Sequence, residues 1–114
     1  MFRVFNFSVA ALTAVLAFHS DGALAASPEK GKETFIKHGC WQCHGFSGQG
    51  GNAGLPLAPD PKPLETITAF VRSTNGAMPP YSEKILTDED IADIHAYLSS
   101  LPKKDYKSIP LLAP

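Results

Sequence analysis

The chain has 114 residues, 44% of them hydrophobic and 18% charged, with a formal net charge of −1 at neutral pH. Its ten Lys and Arg form no basic block and no basic patch interleaved with aromatics, which argues against a nucleic-acid partner. There are only two cysteines, so the chain is not a disulfide framework.

The first residues read as a secretory signal. Arg3 supplies a positive start, and Val9 to Phe18 is an apolar run too short to span a bilayer comfortably. Asp21 and Gly22 interrupt it, and Ala23-Leu24-Ala25 is a small-x-small cleavage site. A signal over residues 1–25, cut after Ala25 or Ala26, leaves a mature chain starting near Ser27. The alternative is an uncleaved membrane anchor. No second apolar segment of spanning length follows, which predicts a soluble mature protein with no membrane insertion. The leader removes Arg3 and Asp21, leaving nine Lys and Arg against ten Asp and Glu, so charge says little about the partner. The remainder, roughly ninety residues, makes one small domain over 27–102, of a size that often needs a staple beyond its own core. Residues 103–114 form a Lys- and Pro-containing tail expected on the surface.

A first helix is expected from about Pro28 to His38. Ser27 suits its N-cap, Pro28 its first position, and Gly39 its end. Immediately after comes Cys40-Trp41-Gln42-Cys43-His44. Residues at i, i+3 and i+4 share one face of a helical turn. Both thiols can therefore add to the two vinyl groups of one porphyrin while the imidazole sits under the iron, the C-x-x-C-H pattern of haem attachment. A redox dithiol would need a βαβ pattern, and none is visible. A zinc site would need two more well-spaced ligands, and His38 does not give that spacing. A plain disulfide across two residues would close too short a loop to constrain much. Export agrees with the haem reading, since c-type haem is attached outside the bacterial cytoplasmic membrane.

Gly45 to Pro63 is Gly- and Pro-rich without apolar periodicity, a length of loop that makes sense in a small domain if it wraps something large. A second helix follows from Leu64 to Arg72 or Ser73, with Leu64, Ile67, Phe70 and Val71 at helical spacing and Asn75-Gly76 past its end. Next comes Asn75-Gly76-Ala77-Met78-Pro79-Pro80-Tyr81. Once the leader is gone Met78 is the sole methionine, and a stiff proline-flanked loop suits an axial thioether better than a core gap-filler. His38 is too near His44 in sequence to reach the opposite haem face easily, and His95 lies beside the apolar stripe of the last helix. An open sixth position, as in a gas sensor, is the other alternative. Thr87 caps the third helix, with Asp88, Glu89 and Asp90 at its positive end and Asp90 placed for a capping box. Ile91, Ile94, Leu98 and Leu101 form its stripe, and Pro102 stops it.

In this combination the chain resembles a class I bacterial cytochrome c. The resemblance rests on Cys40-Trp41-Gln42-Cys43-His44, on Met78 before Pro79-Pro80-Tyr81, on Gly31 and Phe35 in the first helix, and on Ile94 and Tyr97 in the last. It covers about Glu29 to Leu101. It implies an all-α cytochrome c fold, with three main helices and long loops around one covalently attached haem c, and a close crossing of the terminal helices at the glycine. It also implies Cys40 and Cys43 as thioether sites, His44 and Met78 as axial ligands, and a loop proline whose carbonyl bonds the proximal histidine. Pro56 is the candidate, although Leu55 stands between it and Gly54, where the family has the proline directly after the glycine. Trp41 reads as packing or haem-edge cover, and Tyr81 or Arg72 as a propionate contact.

The expected function is one-electron transfer in the periplasm, not catalysis. The partner would be a redox protein: a periplasmic dehydrogenase, a reductase or a terminal oxidase. The chain would act as a monomeric carrier or as the cytochrome subunit of a larger complex. A haem enzyme or gas sensor with a labile sixth ligand is the alternative. Since the porphyrin would serve as the staple of so small a domain, the haem-free chain should be largely unfolded; a cooperative, native-like apoprotein in circular dichroism would contradict this.

Overall fold

Ser27 begins the fold as a helix cap. In the computed structural model, which describes residues 25–103, its side-chain oxygen accepts the Lys30 N–H at 3.3 Å and opens α1, Pro28–Lys37. At the other end His38 is the C-cap and Gly39 adopts φ +74°. The Gly39 N–H bonds the Ile36 carbonyl and the Cys40 N–H bonds the Phe35 carbonyl, both at 3.1 Å. This is a Schellman turn, which satisfies the terminal carbonyls and needs a residue tolerant of positive φ at Gly39. The turn hands the chain directly to α2, Trp41–His44.

A long segment without helix or strand then leads to α3, Leu64–Ser73. Val71 is buried and Leu64 and Ile67 are half-buried, but Phe70 is 57% exposed. Leu64, Ile67 and Val71 follow the i, i+3, i+7 face, and Phe70 falls off its edge, which corrects the broader stripe read from spacing. The last helix, α4, is Asp88–Ser100. Its capping box is complete: Thr87 Oγ1 accepts the Asp90 N–H at 3.1 Å, and Asp90 Oδ2 accepts the Thr87 N–H at 2.9 Å. That Thr87 amide is the main reason the Asp90 carboxyl lies below its usual pKa.

The architecture among the described residues is all-helical. Its core is Phe35, Val71, Leu86, Ile91, Ile94, Tyr97 and Leu98, with Phe35, Ile91 and Leu98 at most 1% exposed. Helices α1 and α4 cross at buried Gly31, where a Cβ would overlap the Asp93 carbonyl. Around the crossing, Asp93 Oδ1 accepts the Ser27 N–H at 2.6 Å, and the Phe35 and Tyr97 rings pack tilted at 5.8 Å. All but the last residue of the expected leader, and all but the first residue of the expected C-terminal tail, lie outside the described residues.

Because the atoms facing Gly31 are backbone of a packed helix, they cannot rotate away. Gly31→Ala should cost at least the ~1–3 kcal/mol typical of overpacking. Thermal unfolding of the haem-loaded protein checks this, and an unchanged midpoint would contradict the crossing.

Candidate haem site

The Schellman turn sets the site by delivering Cys40 as the residue that opens the single turn Trp41–His44. The His44 N–H bonds the Cys40 carbonyl at 3.0 Å and the Gly45 N–H bonds the Trp41 carbonyl at 2.9 Å, so the motif is helical. Both cysteines are free thiols, Cys40 half-buried and Cys43 exposed. Burial pushes the Cys40 thiol up from its ordinary pKa.

His44 Nδ1 lies 2.8 Å from the Leu55 carbonyl. A carbonyl oxygen only accepts, so Nδ1 carries the proton and Nε2 keeps its lone pair for a metal. The acceptor is thus Leu55, the residue directly after Gly54, and not Pro56, the proline that the resemblance suggested. The loop reaches the ring through glycine: a Cβ at Gly54 would lie 2.9 Å from His44 Nδ1 and 2.7 Å from the Cys43 oxygen. With Gly54 able to lie against the motif backbone, the next carbonyl in the chain faces the imidazole, and that carbonyl belongs to Leu55. The loop folds back through bonds from Gly50 N–H to the His44 carbonyl at 2.8 Å and from Gly51 N–H to the Gly54 carbonyl at 3.0 Å. Tyr97 Oη holds its start through the Phe46 carbonyl at 3.2 Å, and Trp41 stacks on Phe46 at 4.5 Å.

Met78 sits between Thr74 and Tyr81, half-buried, and packs on the same core as Cys40 and Trp41. The other two described histidines make contacts of their own. His95 Nε2 bonds the Lys62 carbonyl at 3.1 Å, and His38 is the C-cap of α1 with its ring edge-on to Tyr81. The polar groups expected to meet a propionate are also engaged. Arg72 Nη1 donates to the Tyr81 carbonyl at 2.9 Å, Nη2 to Asp88 Oδ1 at 2.6 Å, and Tyr81 Oη to the His38 carbonyl at 3.0 Å. Burial, and then the neighbouring Cys40 and Cys43, push the Tyr81 hydroxyl up from its ordinary pKa, so it remains a donor at neutral pH.

These donors fit a haem. Two free thiols and an imidazole with its Nε2 unengaged share one helical turn. Leu57, Leu64, Ile67, Met78 and Tyr81 lie against the core yet remain only half covered, an apolar flank suited to a porphyrin. Among the described residues no three His, Cys, Asp or Glu side chains converge to hold a bare metal ion.

Fold and donor set together define a class I c-type cytochrome, a haem-based electron carrier with covalently bound haem c. More particularly, the family described as cytochrome c oxidase, cbb3-type, subunit III matches residues 26–98, and the chain belongs to that family. No curated protein and no solved structure matches it significantly.

Proposed function

We propose that Cys40 and Cys43 carry the two thioether bonds to haem c, and that His44 and Met78 are its axial ligands. The observation that carries this reading is the 2.8 Å bond from His44 Nδ1 to the Leu55 carbonyl, which fixes the tautomer and orientation a proximal ligand needs. The bound haem supplies a one-electron iron couple. His44, held by Leu55, keeps its ring in one orientation, and a thioether from Met78 raises the potential relative to a second histidine. A ligand set kept in both oxidation states needs little rearrangement for electron transfer.

The protein is further proposed to work in the periplasm after loss of residues 1–25, with residues 27–102 as the cytochrome domain and 103–114 as a surface tail. Its N-terminal signal-like sequence supports this, and among the described residues no helix is long and apolar enough to cross a membrane. The partner is a redox protein. Either a periplasmic dehydrogenase donates to it, or it donates to a terminal oxidase, in keeping with the oxidase subunit named in its family.

Met78→Ala should give a high-spin ferric haem and a lower potential, read from visible spectra and redox titration. Spectra identical to wild type would remove Met78 from the iron. Mixing the purified ferric protein with candidate periplasmic dehydrogenases and their substrates identifies the donor through growth of the reduced visible bands.

A further inference from the structure

Tyr81 is held from three directions. Its N–H bonds the Val71 carbonyl of α3 at 2.9 Å, its carbonyl accepts Arg72 Nη1 at 2.9 Å, and its hydroxyl donates to the His38 carbonyl at 3.0 Å. Arg72 is itself braced by Asp88 at the start of α4, and its side chain is 19% exposed. His38 caps α1 two residues before Cys40, so the hydroxyl bond joins the methionine segment directly to the haem-attachment turn, across a sequence separation of 43 residues.

Between Met78 and Tyr81 stand Pro79 and Pro80. Each ring fixes φ near −65°, so few soft torsions separate the two side chains, and displacement at Tyr81 passes to Met78 instead of being absorbed. On the other side the loop is open: Gly76 has no atom within 4 Å of where its Cβ would be, and the Thr74 hydroxyl reaches the Met78 carbonyl only at 3.4 Å. The firm attachment is therefore on the Tyr81 side.

We propose that Tyr81, braced by Arg72, is a positioning residue that holds the Met78 segment to the haem-attachment turn and so sets how firmly Met78 stays on the iron. This rests on Met78 being the axial ligand. Tyr81 touches neither iron nor partner in this role. It lowers the freedom of the segment that presents the thioether, and an incoming ligand must work against that restraint.

The test is imidazole titration of the ferric holoprotein, with the far-red methionine–iron charge-transfer band and the reduction potential recorded alongside. Tyr81→Phe keeps the ring and removes one hydrogen bond, so imidazole should bind roughly two- to tenfold tighter and the potential should fall. Arg72→Met should act in the same direction, with Arg72→Lys, which retains one donor, in between. Ile94→Val, a core change that removes none of the Tyr81 or Arg72 hydrogen bonds, should lower the unfolding midpoint and leave imidazole affinity unchanged. Wild-type affinity in both Tyr81→Phe and Arg72→Met, or an equal change in Ile94→Val, overturns the positioning role. Absence of the far-red band in the wild-type protein instead overturns Met78 ligation and the positioning role with it.

Discussion

The close crossing of α1 and α4 at Gly31 is the contact on which the other parts depend. It brings the Asp93 backbone against α1 and lets the Asp93 carboxylate cap the Ser27 amide. It also sets Phe35 and Tyr97 ring to ring. From this frame two things follow. The end of α1 is placed so that its Schellman turn presents Cys40, and Tyr97 is placed so that its hydroxyl takes hold of the haem-motif loop at Phe46. A side chain at position 31 would force the helices apart and move both.

Among the described residues the core has seven buried hydrophobic side chains, few for a stretch of this length. Full burial of an aliphatic or aromatic side chain contributes about 1.5–3 kcal/mol, whereas ordering each residue costs about 1–2 kcal/mol in backbone entropy alone. Covalent haem c changes this balance. It lies in a family where the porphyrin is bonded to the chain, and the half-covered side chains Leu57, Leu64, Ile67 and Met78 give it an apolar surface to cover. Cofactor and fold would then stabilise each other, and Met78, the proposed axial ligand, is among the side chains packed against the core.

Much of this was legible in the residues. Ser27, Thr87 and Asp90 announce helix starts because their short oxygen-bearing side chains satisfy free amides, and the caps form as read. Gly39 announces an end, whereas the crossing at Gly31, with Phe35 and Tyr97, came from the resemblance to class I cytochromes c. The site was less legible where it depends on loop backbone. Proline signals a rigid loop but not which carbonyl faces a ring, so Pro56 stood in for Leu55. Gly54 was the available sign, since only a residue without Cβ lets the loop lie on His44. Arg72 and Tyr81 have the chemistry of anion contacts, yet their partners are a carbonyl, a carboxylate and a helix cap brought near by tertiary folding. Phe70 shows the same limit in α3, where spacing sets the face but packing decides its width.

In the proposed site one iron is closed on both sides, by His44 and by Met78. Proton NMR of the reduced holoprotein tests it most directly, because a methionine methyl held on the iron lies over the porphyrin and its signal is displaced far upfield by the ring current. A single such three-proton resonance, lost in Met78→Ala, is the predicted result. A reduced protein without that resonance, and one that binds carbon monoxide rapidly, would contradict it.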